Sequence, residues 1–152
     1  MDMLVKLYEL NDDPALMEKL AAEGILIKRA MTPDLTKITS WVKETFGQGW
    51  ADECTAGILR GGCWIAVKDR EIVGFACFDA TLPDFFGPTG VAEELRGKGV
   101  GKALLIRCLV SMKEKGYAYA IIGSAGPMDF YRKAVGATPI EGSIPGAYAN
   151  MV

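Results

Sequence analysis

The stretch Val91-Ala92-Glu93-Glu94-Leu95-Arg96-Gly97-Lys98-Gly99-Val100-Gly101-Lys102 is the part of this 152-residue chain that best indicates its fold. An apolar strand ends at Ala92, a loop with glycines and cations follows, and an apolar helix begins at Val100. No Ser, Thr, Asp or Asn precedes that helix, so the N–H groups of its first turn lack a side-chain cap. An external anion fits there, because free N–H groups and the helix dipole both attract negative charge.

The loop residues themselves favour a pyrophosphate group as that anion. Glycine lets the backbone approach an anion closely, and the loop cations add positive charge. The predicted cradle consists of Arg96, Gly97, Lys98, Gly99, Val100, Gly101 and Lys102. The alternative is a flexible surface loop rich in Gly and Lys. A P-loop is excluded because Arg96 and Ala103 stand where it needs Gly and a hydroxyl, and a Gly-x-Gly-x-x-Gly fingerprint is excluded because no third glycine follows at the required spacing.

Length and composition indicate one globular domain, which we expect to span residues 1–152. Half of the residues are apolar and 24% are charged, as in folded rather than disordered chains. No apolar run approaches the roughly 18 residues that cross a bilayer, and the N-terminus lacks a signal-peptide core, so we expect a cytoplasmic protein. The net charge of −2 argues against nucleic acid as a partner.

The chain contains no histidine, which removes Ser-His and Cys-His nucleophiles and histidine metal sites. Any catalytic acid or base must therefore come from Asp, Glu, Tyr, Lys, Cys, a terminus or water, and we expect no metal. The four cysteines form no Cys-x-x-Cys pair and lie among apolar residues, which indicates reduced thiols in the core. They are Cys54, Cys63, Cys77 and Cys108.

Hydrophobic periodicity predicts an ordered series of helices and strands. A strand at 4–10 and a helix opening at Asp13-Pro14 come first. From residue 25 onward the order is strand, two helices, three strands, helix, strand, helix and two strands. The last two strands, 137–141 and 147–151, would form a closing hairpin. Gly and Pro within the strand at 85–92 weaken its pairing, so this strand is expected to bulge or part from its neighbour.

A second motif, Phe130-Tyr131-Arg132-Lys133-Ala134-Val135-Gly136-Ala137, lies one helix and one buried strand after the glycine loop. Together with Arg-x-x-Gly-x-Gly at 96–101, it resembles the GCN5-related N-acetyltransferase (GNAT) superfamily. The resemblance covers the chain from residue 25 to the end. It implies an α/β (α+β) fold with a mixed, splayed β-sheet flanked by helices on both faces. Residues 1–24 would add a strand and helix to the 25–152 core.

The resemblance also implies a reaction and a cofactor, acetyl-CoA, lying between splayed strands at 85–92 and 117–123. The pantetheine amides would pair with the backbone at Val91, and the pyrophosphate would bind the loop at 96–102. An amine of a small molecule or peptide would attack the thioester directly, releasing CoA. Tyr131 matches the family tyrosine that protonates the departing thiolate. Ser124 departs from the pattern, since many members have Asn at that position.

The sequence leaves the acceptor, the general base and the assembly open. The candidate bases are Glu53, Asp79, Asp84 and Glu93, and the candidate pocket aromatics, which could equally be core residues, are Trp50, Phe85, Phe86 and Tyr148. Acceptor specificity is expected to reside around 46–54, 79–88 and 143–149. Two other interpretations remain open: a non-catalytic acyl-CoA sensor, and a structural homodimer that uses the closing hairpin.

Overall fold

A computed structural model describes residues 1–152 and contains five α-helices and seven β-strands. The helices are α1 (Pro14–Ala22), α2 (Leu35–Phe46), α3 (Gln48–Leu59), α4 (Val100–Lys115) and α5 (Met128–Val135). The strands are β1 (Met3–Lys6), β2 (Ile25–Arg29), β3 (Cys63–Lys68), β4 (Glu71–Phe78), β5 (Phe85–Val91), β6 (Tyr119–Ile122) and β7 (Thr138–Pro139). None of the helices is both long and apolar enough to cross a membrane.

All seven strands form one mixed sheet in the order β2-β3-β4-β5-β6-β1-β7. The N-terminal strand β1 lies inside this sheet, antiparallel to β6 on one side and to β7 on the other. The predicted closing hairpin is therefore wrong. Residues 147–151 form no strand: β7 is only two residues long and pairs with β1, and Gly146–Tyr148 forms a short 3₁₀ turn.

The sheet separates two hydrophobic cores, because successive side chains of a strand point to opposite faces. Cys63 and Ile65 of β3 face a cluster with residues of α2 and α3, whereas Trp64 and Ala66 face a larger cluster with α1 and α4. This arrangement confirms the expected sheet with helices on both faces. All four cysteines are free and buried, as predicted from their apolar neighbours.

The ends of the helices follow the capping chemistry in the sequence. Asp13 caps α1 by accepting a hydrogen bond from the Leu16 N–H at 3.1 Å, and Pro14 stands at the first helical position. Helix α4 begins at Val100 without a side-chain cap, as expected, and ends at Gly116, whose φ of 109° favours glycine. The uncapped start of α4 therefore remains available to an anion.

Candidate active site

Strands β5 and β6 run parallel, but only the start of β5 pairs with the end of β6. Phe85 lies opposite Ile121 and Phe86 opposite Ile122, after which no register continues. Strand β5 runs on to Val91 against β4, whereas β6 ends and the chain turns toward α5. The two strands therefore part after Phe86. This is the splay that Gly and Pro in β5 predicted.

The far half of β5 presents backbone groups to this splay. The Ala92 N–H donates to the Val73 carbonyl of β4 at 2.8 Å. Because neighbouring residues of a strand direct their backbone groups to opposite sides, the N–H and C=O of Val91 point away from β4. The Val91 carbonyl accepts a 3.4 Å hydrogen bond from the Arg96 side chain. Val91 is thus the strand residue nearest the loop whose backbone faces the splay.

The glycine loop joins β5 to α4 and carries a run of free donors. None of the six N–H groups of residues 97–102 donates to an acceptor in the protein. Gly97 and Gly99 adopt φ values of +81° and +93°, which favour glycine. Successive N–H groups in such turns form a concave anion site, and here they meet the start of a helix dipole. The geometry therefore fits the anion cradle that the sequence predicted.

Helix α1 packs against the back of this loop. A Cβ at Gly99 would lie 2.8 Å from Leu16 Cδ1, so Gly99 allows a close approach of α1 rather than facing outward. Lys102 forms a 3.6 Å ion pair with Asp13, and Lys19 Nζ lies 3.4 Å from the Lys98 carbonyl. No local sequence pattern indicated Lys19 as a further cation here, because its position depends on helix packing.

Tyr131 lies in the first turns of α5 and is 5% exposed. Its ring packs edge-on against Phe86 at 6.3 Å and Phe130 at 5.1 Å. The hydroxyl has no hydrogen-bond partner in the protein, yet it is absent from the fully buried unpaired polar atoms, so it keeps contact with solvent. Burial raises the pKa of Tyr131, which keeps the hydroxyl protonated and able to donate.

A cleft of about 720 Å³ opens where the splay begins. It takes residues from β5, from the end of β6 and from all three segments proposed for specificity. Trp50, Phe86 and Tyr148 line it, whereas Phe85 does not. Neither Tyr131 nor the glycine loop lines this cleft. Phe86 lines the cleft and its ring also packs against that of Tyr131, so it connects the two.

Asp2 enters the cleft wall through the position of β1 in the sheet. Its carboxylate accepts a 2.7 Å hydrogen bond from the Ser124 N–H, and its own N–H donates to Ser143 Oγ at 2.8 Å. Ser124 occupies the position of the Asn expected from the resemblance and has a φ of +46°. The sequence did not indicate Asp2, because its site depends on pairing between segments over a hundred residues apart.

Among the candidate bases, Glu53 alone lines the cleft. Its Oε1 accepts a 2.5 Å hydrogen bond from the hydroxyl of Thr81, a residue that the sequence did not single out. Asp79 is instead buried against Lys115 and Tyr117, whose polar atoms lie 2.5 Å and 3.0 Å from its carboxylate. Asp84 lies beside Asp79, and Glu93 is exposed in a 3₁₀ turn; neither of these lines the cleft.

The Asp84 carboxylate does not line the cleft, but its protonation affects the stability of the fold. Burial, and then the nearby Asp79 carboxylate, raise its pKa to about 6. The unfolded value is about 4, so the folded state gains stability from holding this proton at low pH and loses that gain as pH rises through 6. We expect Asp84→Asn to raise the melting temperature at pH 7.5 and to raise it less at pH 5. The control is Asp52→Asn, which changes an exposed carboxylate and should show no such pH dependence of the melting temperature in calorimetry. An equal rise in melting temperature at both pH values for Asp84→Asn would contradict the argument.

A family model described as Acetyltransferase (GNAT) family matches residues 30–137, well over half of the chain. The chain belongs to this acetyltransferase family. The match begins directly after β2 and ends after α5, so it includes the splay, the glycine loop and Tyr131. It excludes Asp2 and β1, and also α1, which supplies Leu16. Among curated proteins, none matches the sequence.

Solved structures of GNAT proteins share the fold at low sequence identity. A GCN5-related N-acetyltransferase from Sphaerobacter thermophilus aligns with a TM-score of 0.71 and 20% identity over 90% of this chain and 47% of its own. An Escherichia coli family member in complex with CoA aligns with a TM-score of 0.52 and 22% identity over 71% of this chain and 63% of its own. A Brucella melitensis member in complex with acetyl-CoA aligns with a TM-score of 0.55 and 14% identity over 72% of this chain and 80% of its own. The chain thus spans about half the length of the Sphaerobacter protein.

Proposed function

We propose that this GNAT chain is an acetyl-CoA-dependent N-acetyltransferase that transfers an acetyl group directly to a primary amine of a small molecule or peptide. The observation that carries the proposal is the run of six unpaired N–H groups at 97–102, at the far end of two parting strands. Such a run suits a diphosphate, and the strand groups beside it suit an amide chain. Both belong to the same elongated ligand, coenzyme A.

The residues that would hold acetyl-CoA are those of the loop and the parting strand. The N–H groups at 97–102 would bind the pyrophosphate, with Arg96, Lys98 and Lys102 adding positive charge. Val91 would pair with the pantetheine through the backbone groups that face away from β4. Relatives of the same fold in complex with CoA and acetyl-CoA support this assignment.

Bound acetyl-CoA supplies an activated thioester, whose carbon–sulfur bond breaks as the acceptor nitrogen forms an amide. Tyr131 would donate its proton to the leaving sulfur. Its protonated hydroxyl, its contact with solvent and its packing against Phe86, which lines the cleft, support this role. For the thioester to meet both Tyr131 and an acceptor in the cleft, the ligand would have to pass between β5 and β6, where the strands part.

Glu53 would take the proton that the acceptor ammonium must lose. It is the candidate base whose side chain lines the cleft, and the Thr81 hydroxyl fixes one of its oxygens. A carboxylate within hydrogen-bond reach of the amine, directly or through one water, can act as a general base.

The position of β1 in the sheet supports one further part of the proposal. We propose that residues 1–152 act as a single acetyltransferase domain in which 1–24 is an integral part rather than an appendage. Strand β1 pairs with both β6 and β7, and α1 packs under Gly99 of the loop.

The direct test measures free thiol released from acetyl-CoA in the presence of a panel of primary amines. The proposal expects one acetamide for each thiol, identified by mass spectrometry. If acetyl-CoA raised the melting temperature of the protein but no amine released thiol, the chain would instead be a non-catalytic acyl-CoA sensor.

Glu53→Gln should lower kcat for an alkylamine about 100-fold at pH 7.5 without weakening acetyl-CoA binding. The deficit should shrink at pH 9.5, because a larger share of the amine, with a pKa near 10, is then already deprotonated. Asp52→Asn is the matched control, since its carboxylate is one residue away, exposed and hydrogen-bonded to Gln48. A loss that stayed constant between the two pH values would rule out Glu53 as the base.

A further inference from the structure

The charged side chains of the cleft have one sign. Asp2 and Glu53 carry the only charged side chains among the residues that line it, and no Lys or Arg is present. A carboxylate or phosphate on the acceptor would therefore find no Lys or Arg side chain in the cleft and would face two carboxylates. The lining instead suits groups that carry positive charge.

Both carboxylates keep one oxygen free for a ligand. Asp2 Oδ1 accepts from the Ser124 N–H, and Glu53 Oε1 accepts from the Thr81 hydroxyl. Their second oxygens have no partner in the protein, and neither is among the fully buried unpaired atoms, which consist of Asp84 Oδ1 alone. Each second oxygen is therefore accessible, although Asp2 as a residue is only 6% exposed. A protein-fixed carboxylate with one accessible oxygen is a pre-oriented acceptor for an ammonium group.

Aromatic groups complete this surface. Tyr148 is close to both acids: burial raises its pKa, and the charges of Asp2 and Glu53 raise it further. Its hydroxyl lies next to the end of β6, since a Cβ on Gly123 would be 2.3 Å from it. Trp50 also lines the cleft and is 38% exposed. Aromatic faces attract ammonium groups, so they reinforce the preference set by the carboxylates.

We propose that the acceptor is a dication, an alkyl diamine or a similar molecule, whose reacting ammonium meets Glu53 and whose second ammonium binds Asp2. This inference rests on the proposed acetyl transfer. The first ammonium gives its proton to Glu53 and its nitrogen then forms the new C–N bond, while the second ammonium keeps its proton and pairs with Asp2 Oδ2. Asp2 is thus a specificity residue that the N-terminal strand brings into the cleft.

The test compares kcat/KM for cadaverine, n-pentylamine and ε-aminocaproate, which share an aliphatic amine and differ at the other end. We expect cadaverine to exceed n-pentylamine by about 10- to 100-fold, the effect of one charged hydrogen bond. We expect ε-aminocaproate to be the poorest of the three. Asp2→Asn keeps an oxygen for the Ser124 N–H but removes the charge, so the ratio of cadaverine to n-pentylamine should fall about tenfold or more. Asp52→Asn should leave that ratio unchanged.

The outcomes separate this inference from the acetyl transfer on which it rests. Equal kcat/KM for cadaverine and n-pentylamine would overturn the dication proposal and leave the N-acetyltransferase proposal standing. If no amine were acetylated, that proposal would fail, and calorimetric titration of the three amines into the CoA-saturated protein would still decide the cleft's preference. Tighter cadaverine binding that Asp2→Asn abolishes would support a dication site; binding no tighter than that of n-pentylamine would overturn it. A melting curve of Asp2→Asn that matches the parent excludes a general loss of fold.

Discussion

Replacing Tyr131 with Phe is expected to lower turnover about 100-fold, in the range of a lost general acid, while acetyl-CoA affinity stays close to that of the parent. Phe fills the same space against Phe86 and Phe130, so the core contacts of α5 are retained. The lost atom is the hydroxyl, which makes no hydrogen bond within the protein. Its removal leaves no protein partner unpaired, and the melting temperature should change little.

The measurement is single-turnover thiol release, with acetyl-CoA binding followed separately by calorimetry. Tyr119→Phe is the matched control, because Tyr119 is 44% exposed at the start of β6 and packs against Tyr8. The control should release thiol at the parental rate. Parental turnover in Tyr131→Phe itself would exclude Tyr131 as the acid and would favour water as the proton source.

The sequence was sufficient for the features that local chemistry determines. The glycines and missing cap before Val100 predicted an uncapped helix behind a glycine loop, and both are present. Gly and Pro in β5 predicted weakened pairing, and the β5–β6 register ends at Phe86. Each of these depends on residues within a few positions of one another, so the pattern along the chain contains the necessary information.

Features that depend on distant pairing were not predictable in the same way. The terminal segments 137–141 and 147–151 suggested a hairpin because they are adjacent, yet β1 pairs with β7 instead. Alternating residues at 4–10 indicated a strand, but nothing in that pattern indicates which neighbours the strand takes. The strand itself ends at Lys6 and gives way to a 3₁₀ turn at Leu7–Glu9. Its place between β6 and β7 is what brings Asp2 to the cleft.

The glycines of the loop also differ in role more than the sequence indicated. The motif suggested that all three let an anion approach. Gly99 instead leaves room for Leu16 of α1, whereas a Cβ at Gly97 would meet nothing within 4 Å. Gly101 lies in the first turn of α4, and a Cβ there would point toward Val91 Cγ2 at 3.7 Å. Only packing between α1 and the loop separates these roles.

Gly101 consequently offers the sharpest test of the loop. Glu fits a helix, and the space around a Cβ at Gly101 is open, so Gly101→Glu should fold normally. Its carboxylate would extend toward the parting strand and the free N–H groups, where it would repel a diphosphate and compete for the same donors. Loss of two charge-assisted hydrogen bonds corresponds to roughly 3–4 kcal/mol, so we expect CoA affinity to fall at least about 100-fold.

Gly101→Ala is the control for the backbone at this position. Its φ is not in the left-handed region, and Ala in a helix contributes up to about 1 kcal/mol of stability relative to Gly. Gly101→Ala should therefore bind acetyl-CoA as the parent does and melt at the same or a slightly higher temperature. Gly99 is unsuitable for this comparison, because any side chain there would displace Leu16.

Calorimetric titration of acetyl-CoA into the parent, Gly101→Ala and Gly101→Glu therefore tests the central claim most directly, which is that the loop at 96–102 binds the pyrophosphate of acetyl-CoA. The account predicts comparable binding by the parent and Gly101→Ala and a loss of at least about 100-fold in Gly101→Glu, with all three proteins folded. Parental affinity in a folded Gly101→Glu variant would contradict the claim.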